Sequence, residues 1–547
     1  MNEKFDVLQA FSRNVAGHGE TEVLSFLDSQ GDEQAVHTFA SLGRRSSRYN
    51  ATLQKHGAPG DRVLLAFAPG LEFVPAFFGC LRSGFVAVPC RYPWSAADTA
   101  HIAGVALDCE ARVLICDAGS ADRLRHEPGL ESLTILTPED LLPAGDEGYA
   151  CPDPDAPAYL QYTSGTTGDP KGVQVSYRNL AGNLRAIEDT MQCQPESVGV
   201  GWMPPFHDMG LISCIISPVV LRFRLYLMSP VDFLLNPPGW LRALTRYRAT
   251  MMGGPGFAYD LCERRVRKSG TGGIDLSRIR VAFIGSDVIR RESMERFSAA
   301  FGPCGFRTES FLACYGLAES TLLVTGGRAD EGVRMESFTD QSGTRMVAGC
   351  GVPVRGVDVT IVDPDSLQEQ PAGCVGEIRI RSVCVSPGYW NRPELTASVM
   401  QQTLPGRSGS WLRTGDLGFV RNGQIYITGR SKDLLKIRGR NLYSHEIEHF
   451  LGRHHPGLRP GSISVFPVSD PDERFVIVAE LRDAGSSARE SLRQQIPGSV
   501  AQHFGLRPDV VRLVGKNTLP KTSSGKLQRE QCRRLYESGA FDHGVAL

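Results

Sequence analysis

The chain lacks any apolar run able to cross a bilayer: its most hydrophobic stretch, Val63 to Leu81, is broken by Pro69, Glu72 and Pro75. It lacks a charge excess. Its 59 Lys and Arg against 60 Asp and Glu leave a formal net charge of -1, so no bulk field recruits nucleic acid or an anionic membrane. The opening MNEKFDVLQAFSRN lacks the pattern of a signal peptide. The 14 cysteines include no C-x-x-C pair, which fits reduced, mostly buried thiols in the cytoplasm better than a disulfide framework or a zinc site. There is no internal repeat and no low-complexity tract.

At 547 residues the chain exceeds one ordinary core. Its 59 glycines and 34 prolines imply many turns. Short apolar runs bounded by Gly, Pro or Asp read as buried strands: RVLLAFA at 62–68, FVAVP at 85–89, RVLIC at 112–116 and RVAFIG at 280–285. Helical patterns lie between them, as with Leu71, Val74, Phe77, Phe78 and Leu81. This alternation predicts an α/β fold with parallel sheets covered on both faces. After about residue 350 the texture changes. VDVTIVD, GEIRIRS and GQIYITG alternate apolar and polar residues, which predicts a half-exposed antiparallel sheet or small barrel. From about 431 to 547 separate strands (SISVFPV, RFVIVAEL) and helices (SHEIEHFLGRH, ESLRQQIPGSVAQHF) suffice for a small α+β core. The expected division is therefore 1–430 and 431–547.

The most informative segment is AYLQYTSGTTGDPKGVQVSYRNLAGNLRAI, 158–187. An apolar strand runs into Thr163, Ser164, Gly165, Thr166, Thr167, Gly168, Asp169, Pro170, Lys171 and Gly172, and a second strand and a helix follow. Ser176 is a plausible cap, and Leu180, Leu184 and Ile187 share one helical face. Small residues let the backbone curl so that N–H groups and threonine hydroxyls converge on an anion, and Lys171 adds positive charge. The segment is not a Walker loop, because no Gly-Lys-Ser/Thr is present. The competing reading, a flexible Gly/Thr linker, does not account for the flanking strands.

TSGTTGDPKG resembles the phosphate loop of the acyl-adenylate-forming enzymes: acyl-CoA ligases, peptide-synthetase adenylation domains and luciferases. The further motifs of that superfamily follow in order as PPFHDMG (204–210), CYGLAES (314–320), LRTGDLG (412–418), GRSKD (429–433) and LPKTSSGKLQR (519–529). The resemblance covers nearly the whole chain. GWMPPFHDMGLI, MSPVDFLLNPPGWLRALTRYRAT, GGPGFAYDLCERRV, FGPCGFRTESFLACYGLAEST and IRGRNLYSHEIE are similar to the fatty acyl-AMP ligase subgroup. The block 325–351 sits where that subgroup carries an insertion, here short, associated with delivery to carrier proteins rather than CoA. GSDVIR at 285–290 departs from the Gly-Ala-Glu-Pro-like stretch usual in the family.

The resemblance implies ATP and Mg²⁺ as cofactors and assigns roles. Lys526 matches the catalytic lysine, which would bridge the carboxylate and the α-phosphate as they approach; Lys521 is its nearby decoy. Glu319, with Thr166, is expected to hold Mg²⁺, for which one or two carboxylates plus phosphate oxygens suffice. Its bland alternative is a first-turn helix acid. With the loop residues Thr163 to Gly168 and Lys171, the nucleotide is expected to meet Gly285, Ser286, Asp287, Tyr315 and Gly316. Asp416 is expected at the ribose, Arg430 at the ribose or a phosphate, and Lys432 at the hinge of a mobile C-terminal lid. Asp433 reads as a solvated charge. His207 stands where amino-acid-activating domains place an amine-binding aspartate, and is expected to position the carboxylate. Trp202, Met209, Gly253, Gly254, Phe257, Ala258 and Tyr259 are expected to line an acyl pocket, where each buried methylene contributes about 0.8 kcal/mol.

These residues together predict activation of a fatty or related carboxylic acid as acyl-AMP, then transfer to the thiol of an acyl or peptidyl carrier protein. No Gly-Gly-x-Ser carrier signature follows Arg529, so the carrier is expected to be a separate protein. An acyl-CoA ligase of the same fold is the nearest alternative. A non-catalytic homologue would be expected to lose Lys526, Glu319 or the phosphate loop, and all are present.

Overall fold

The computed structural model describes residues 6–144, 152–163, 170–340, 343–437, 440–468, 474–482, 486–521 and 527–541. The apolar runs form parallel strands as their lack of alternation requires. Arg62–Ala66, Val86–Pro89 and Val113–Cys116 lie side by side in a six-stranded sheet. That sheet continues through Pro157–Thr163 to Lys171–Ser176, the only antiparallel pair described within it. The intervening helix Phe73–Ser83 is buried along its whole length.

A nine-stranded sheet stands against it. At its centre Val198–Gly201, Met251–Pro255, Val281–Gly285 and Phe311–Gly316 run parallel. Their C-terminal ends fall along one edge, where open α/β sheets place ligands. One hydrophobic cluster joins both sheets, from Val7 to Ile425.

The alternating segments form a five-stranded antiparallel sheet: Val357–Val362, Gly376–Ser382, Arg407–Arg421, Gln402–Leu404 and Gln424–Arg430. It is not half-exposed throughout. In Gly376–Ser382 the polar positions Glu377 and Arg379 are buried beside the apolar ones. They pair with each other at 2.8 Å, which offsets part of the cost of burying each charge.

Beyond residue 434 the chain has cores of its own. One cluster runs from Leu435 to Leu513 and another from Phe466 to Phe541. They surround the strands Leu458–Val468, Arg474–Leu481 and Val510–Val514 and the helices Ser444–His454 and Ser486–Phe504. Among the described residues all cysteines are unpaired and most are buried. No helix among them is long and apolar enough to cross a membrane.

Candidate active site

The phosphate segment lies between two paired strands. Strands Pro157–Thr163 and Lys171–Ser176 pair in register, with Thr163 opposite Lys171 as the last rung. Ser164, Gly165, Thr166, Thr167 and Gly168 lie outside the described residues. Ser176 caps the following helix in a reciprocal box with Asn179, and Leu180, Leu184 and Ile187 face inward. Gln161, on the same hairpin, donates from Nε2 to the carbonyl of Phe206 at 2.8 Å. The phosphate hairpin and the PPFHDMG segment are thereby held together.

The centre of the site is Asp416. It is 4% exposed, and its two carboxylate oxygens serve different elements. Oδ2 accepts the Tyr315 hydroxyl at 2.7 Å, and Oδ1 meets Arg430 Nε at 2.9 Å. Arg430 is the register partner of Asp416 on the neighbouring strand. Burial and the Asp416 charge hold the Tyr315 phenol well above its ordinary range, so it acts as a neutral donor. Asp416, with burial opposing it, raises the pKa of Arg430. The turn bearing Asp416 is braced from below. Thr414 Oγ1 donates to the Ile378 carbonyl at 2.7 Å, and the Gly415 N–H donates to Glu377 Oε1 at 3.1 Å.

Glu319 stands on a strained loop. After the strand Phe311–Gly316 the chain makes a 3₁₀ turn at Ala318–Ser320 and then places Thr321 at φ 67, ψ -66. That is a γ-turn conformation, costly for a β-branched residue. It is held by Thr321 Oγ1 donating to the Cys384 carbonyl at 2.7 Å and by buried Asn183, which exchanges two hydrogen bonds with Leu323 at 2.9 and 3.1 Å. Gly316 is required here, since a Cβ would lie 1.7 Å from the Leu322 carbonyl oxygen. The result presents the half-buried Glu319 carboxylate, whose Oε1 accepts the Tyr389 hydroxyl at 2.8 Å. Tyr389 was not singled out from the sequence; it lies 70 residues from its partner, beyond any local pattern.

Lys432 joins this group. Burial lowers its pKa first and neighbouring Arg430 second, Asp433 and Asp416 oppose, and Lys171 lowers it further. Lys171, Arg430 and Lys432 therefore share one field, a place where an added anion relieves like-charge repulsion. Asp433 is not a solvated charge. It receives Arg529 Nη1 at 2.8 Å, and Arg529 also grips Glu448 through two hydrogen bonds of 2.7 Å each. Lys521 is engaged elsewhere, donating to Ser462 Oγ at 2.7 Å. Lys526 lies outside the described residues.

The residues expected at the acyl pocket divide. Trp202 is buried, stacked on Phe233 at 3.9 Å and edge-on to Phe257 at 6.0 Å, and it packs near Gly254. Gly253 lies flat against the Phe283 ring, where a Cβ would sit 2.3 Å from it. Met209 is buried and Phe257 half-exposed. Tyr259 lies in the core with Ala258, its ring against Phe297 and Phe311 and its hydroxyl donating to the Phe283 carbonyl at 2.8 Å. His207 is partly exposed, with Nδ1 2.7 Å from Asp208 Oδ1. Gly210 opens a π-helix, Gly210–Ile216, and its Cα presses against the Pro204 carbonyl, where a Cβ would be 2.0 Å away. Such helices are frequent at functional sites.

At the departing stretch 285–290, Gly285 lies against the Cys314 carbonyl and Ser286 takes φ 69. Asp287 is exposed and lies within the electrostatic reach of Arg529. The block 325–351 contains a hairpin, Met335–Asp340 with Gly343–Ala348. It leans on the antiparallel sheet through Phe338 stacked on Phe419 at 5.2 Å. It also reaches the C-terminal portion, with Arg345 Nε 2.6 Å from Glu446 Oε1.

A buried carboxylate holding a phenol and a guanidinium, beside two lysines and a single acid, is the arrangement that the family motifs lead one to expect for a nucleotide. Residues 11–390 match the AMP-binding enzyme family. A medium-chain-fatty-acid–[acyl-carrier-protein] ligase, JamA of Moorena producens, is 33% identical over 95% of this chain and 93% of its own length. A putative fatty-acid–CoA ligase, fadD21 of Mycobacterium leprae, is 32% identical over 97% and 98%. The crystal structure of fatty acyl-adenylate ligase from L. pneumophila in complex with acyl adenylate and pyrophosphate superimposes with a TM-score of 0.74. It is 33% identical and covers 97% of this chain and 96% of that one. The chain belongs to the AMP-binding enzyme family and is an ATP-dependent acid–AMP ligase of the fatty acyl type.

Asp416→Asn keeps the shape but removes the charge shared by Tyr315 and Arg430. Charge-assisted hydrogen bonds contribute about 1.5–3 kcal/mol each, so AMP affinity should fall on the order of tenfold to a hundredfold by calorimetry; an unchanged affinity would remove Asp416 from the nucleotide site. Burial raises Glu446 to about 7 despite Arg345, with Asp340 raising it further and Arg290 opposing. A carboxyl raised in the folded state stabilises most below its ordinary range, and that contribution is lost as pH rises through about 7. Glu446→Gln should therefore raise the melting temperature at about pH 8 and change it little at about pH 5. Parallel pH–stability curves for the two proteins would contradict the assignment.

Proposed function

We propose that this enzyme condenses a medium- or long-chain fatty acid with ATP to give acyl-AMP and pyrophosphate, then passes the acyl group to the phosphopantetheine thiol of a separate carrier protein. The observation that supports it most is the gathering of Tyr315, Arg430 and Lys432 about Asp416, with Lys171 acting on Lys432 and Glu319 on Arg430. In this reading Asp416 takes the ribose hydroxyls, and Lys171 and the loop 163–168 take the phosphates. Tyr315, Gly316 and the 285–287 turn flank the adenine. His207 positions the acid, and the tail runs toward Trp202, Met209, Gly253, Gly254 and Phe257.

Mg²⁺ suits Glu319, a half-buried carboxylate oriented by Tyr389. Among the described residues no cluster of three or more His, Cys, Asp or Glu could hold a metal unaided, so phosphate oxygens would complete the shell, with Thr166 beside them. When bound, the ion would neutralise the departing pyrophosphate charge.

We take residues 1–430 as the body and 431–547 as a lid turning about Lys432 to deliver Lys526. Arg529, by gripping Asp433 and Glu448, makes Asp433 part of the lid side. Lys526→Ala should cut acid-dependent pyrophosphate exchange by on the order of a hundredfold or more while AMP still binds; near-normal exchange would reassign the lysine.

The relatives' names divide between carrier-protein and CoA acceptors. The hairpin 335–348, seated on the sheet through Phe338 and on the lid through Arg345, favours the carrier, since it would resist a rotation that opens a CoA path. Thioester analysis with free CoA and with phosphopantetheinylated carrier in parallel decides this. Acyl-carrier should predominate, and abundant acyl-CoA would make the protein a CoA ligase.

A further inference from the structure

The segment 204–210 carries two ionisable neighbours, His207 and Asp208, and the function proposed above uses only the first. Its backbone is fixed at several points. The Phe206 carbonyl accepts Gln161 Nε2 at 2.8 Å. The His207 N–H donates to the Pro204 carbonyl at 3.1 Å, and the His207 carbonyl accepts the Leu211 N–H at 2.8 Å. Gly210, pressed against the Pro204 carbonyl, closes the turn.

On this backbone the His207 ring is set by its neighbour. Nδ1 lies 2.7 Å from Asp208 Oδ1. The Met209 N–H points at the same oxygen from 2.7 Å and lies 3.3 Å from Nδ1, so the carboxylate is pinned as well. Two acceptors do not approach to 2.7 Å. One of them must donate, and beside an ionised carboxylate the donor is the imidazole N–H. Nδ1 therefore carries a proton, and Nε2 is the end left for a substrate. Nε2 has no partner among the described residues. An imidazole held by a carboxylate at one nitrogen and offered at the other is how a histidine's tautomer and direction are fixed.

An acid in the first turn of a helix is common for its effect on the dipole alone. Asp208 does more than that. Its side chain is only 15% exposed. Burial first, and the Asp208 charge second, raise the buried Tyr159 phenol, so the carboxylate acts inward on the strand Pro157–Thr163 that leads into the phosphate segment.

We propose that Asp208 is a positioning residue for the acid. It holds the Nδ1–H of His207 so that Nε2 meets the carboxyl group being activated, and its charge stabilises the imidazolium that pairs with the carboxylate. The proposal rests on the reading that His207 positions the acid, and adds the residue that sets its ring.

Acid-dependent pyrophosphate exchange tests it, with octanoate and with palmitate, in wild type, His207→Ala, Asp208→Asn and the double variant. Asp208→Asn keeps the shape but lets an amide N–H face Nδ1, which favours the wrong tautomer. It should lower kcat/KM for the acid on the order of tenfold to a hundredfold and leave the KM for ATP unchanged. In the His207→Ala background the same substitution should change kcat/KM for the acid by less than about twofold, since the group it acts through is gone. A role limited to the helix start would instead lower the melting temperature and cost the same in both backgrounds. That result, or wild-type acid kinetics in Asp208→Asn, would overturn the proposal and leave the His207 reading standing. Wild-type acid kinetics in His207→Ala, or a wild type that exchanges with neither acid, would overturn both.

Discussion

The site depends on a buried negative charge shared between elements far apart in sequence. Asp416 lies on the antiparallel sheet, Tyr315 near the end of a strand in the nine-stranded sheet, and Arg430 at the end of its strand, two residues before the proposed hinge at Lys432. A carboxylate 4% exposed needs such partners, since an unpaired buried charge costs several kcal/mol. The partners in turn need Asp416. Tyr315 would otherwise bury its hydroxyl, and Arg430 would face Lys432 and Lys171 with less opposing charge. The same pairing that joins these elements therefore fixes the groups proposed to meet a nucleotide.

Strain is concentrated beside it. Thr321 in a γ-turn, Gly316 pressed against the Leu322 carbonyl and Gly210 against the Pro204 carbonyl each tolerate little variation. Each lies within one or two residues of a side chain assigned to chemistry: Glu319, Tyr315 and Met209. Rigid backbone set by buried hydrogen bonds, such as those of Asn183, keeps those side chains in place without a ligand.

What could be read from the sequence was whatever a short stretch of chain determines. Parallel strands such as Val113–Cys116 were legible because both faces are buried and the run is uniformly apolar. The phosphate hairpin was legible because glycines and threonines interrupt two strands. In GEIRIRS the alternation identified a strand but not what lies over its polar side, so Glu377 and Arg379 read as exposed when they are a buried pair. Tyr389 on Glu319 and Arg529 on Asp433 join residues 70 and 96 positions apart, which no local pattern encodes. One residue's rotation on a helix separates half-exposed Phe257 from core Ala258, a distinction that needs the helix's orientation.

In the proposed function the charges gathered about Asp416 serve adenylation of an apolar acid. Mass spectrometry of the products formed from ATP, Mg²⁺ and a mixed panel of fatty acids and amino acids decides this. Acyl-AMP and pyrophosphate should form, with medium- or long-chain fatty adenylates dominating. Amino-acyl adenylates formed at least as efficiently, or ADP in place of AMP products, would contradict it.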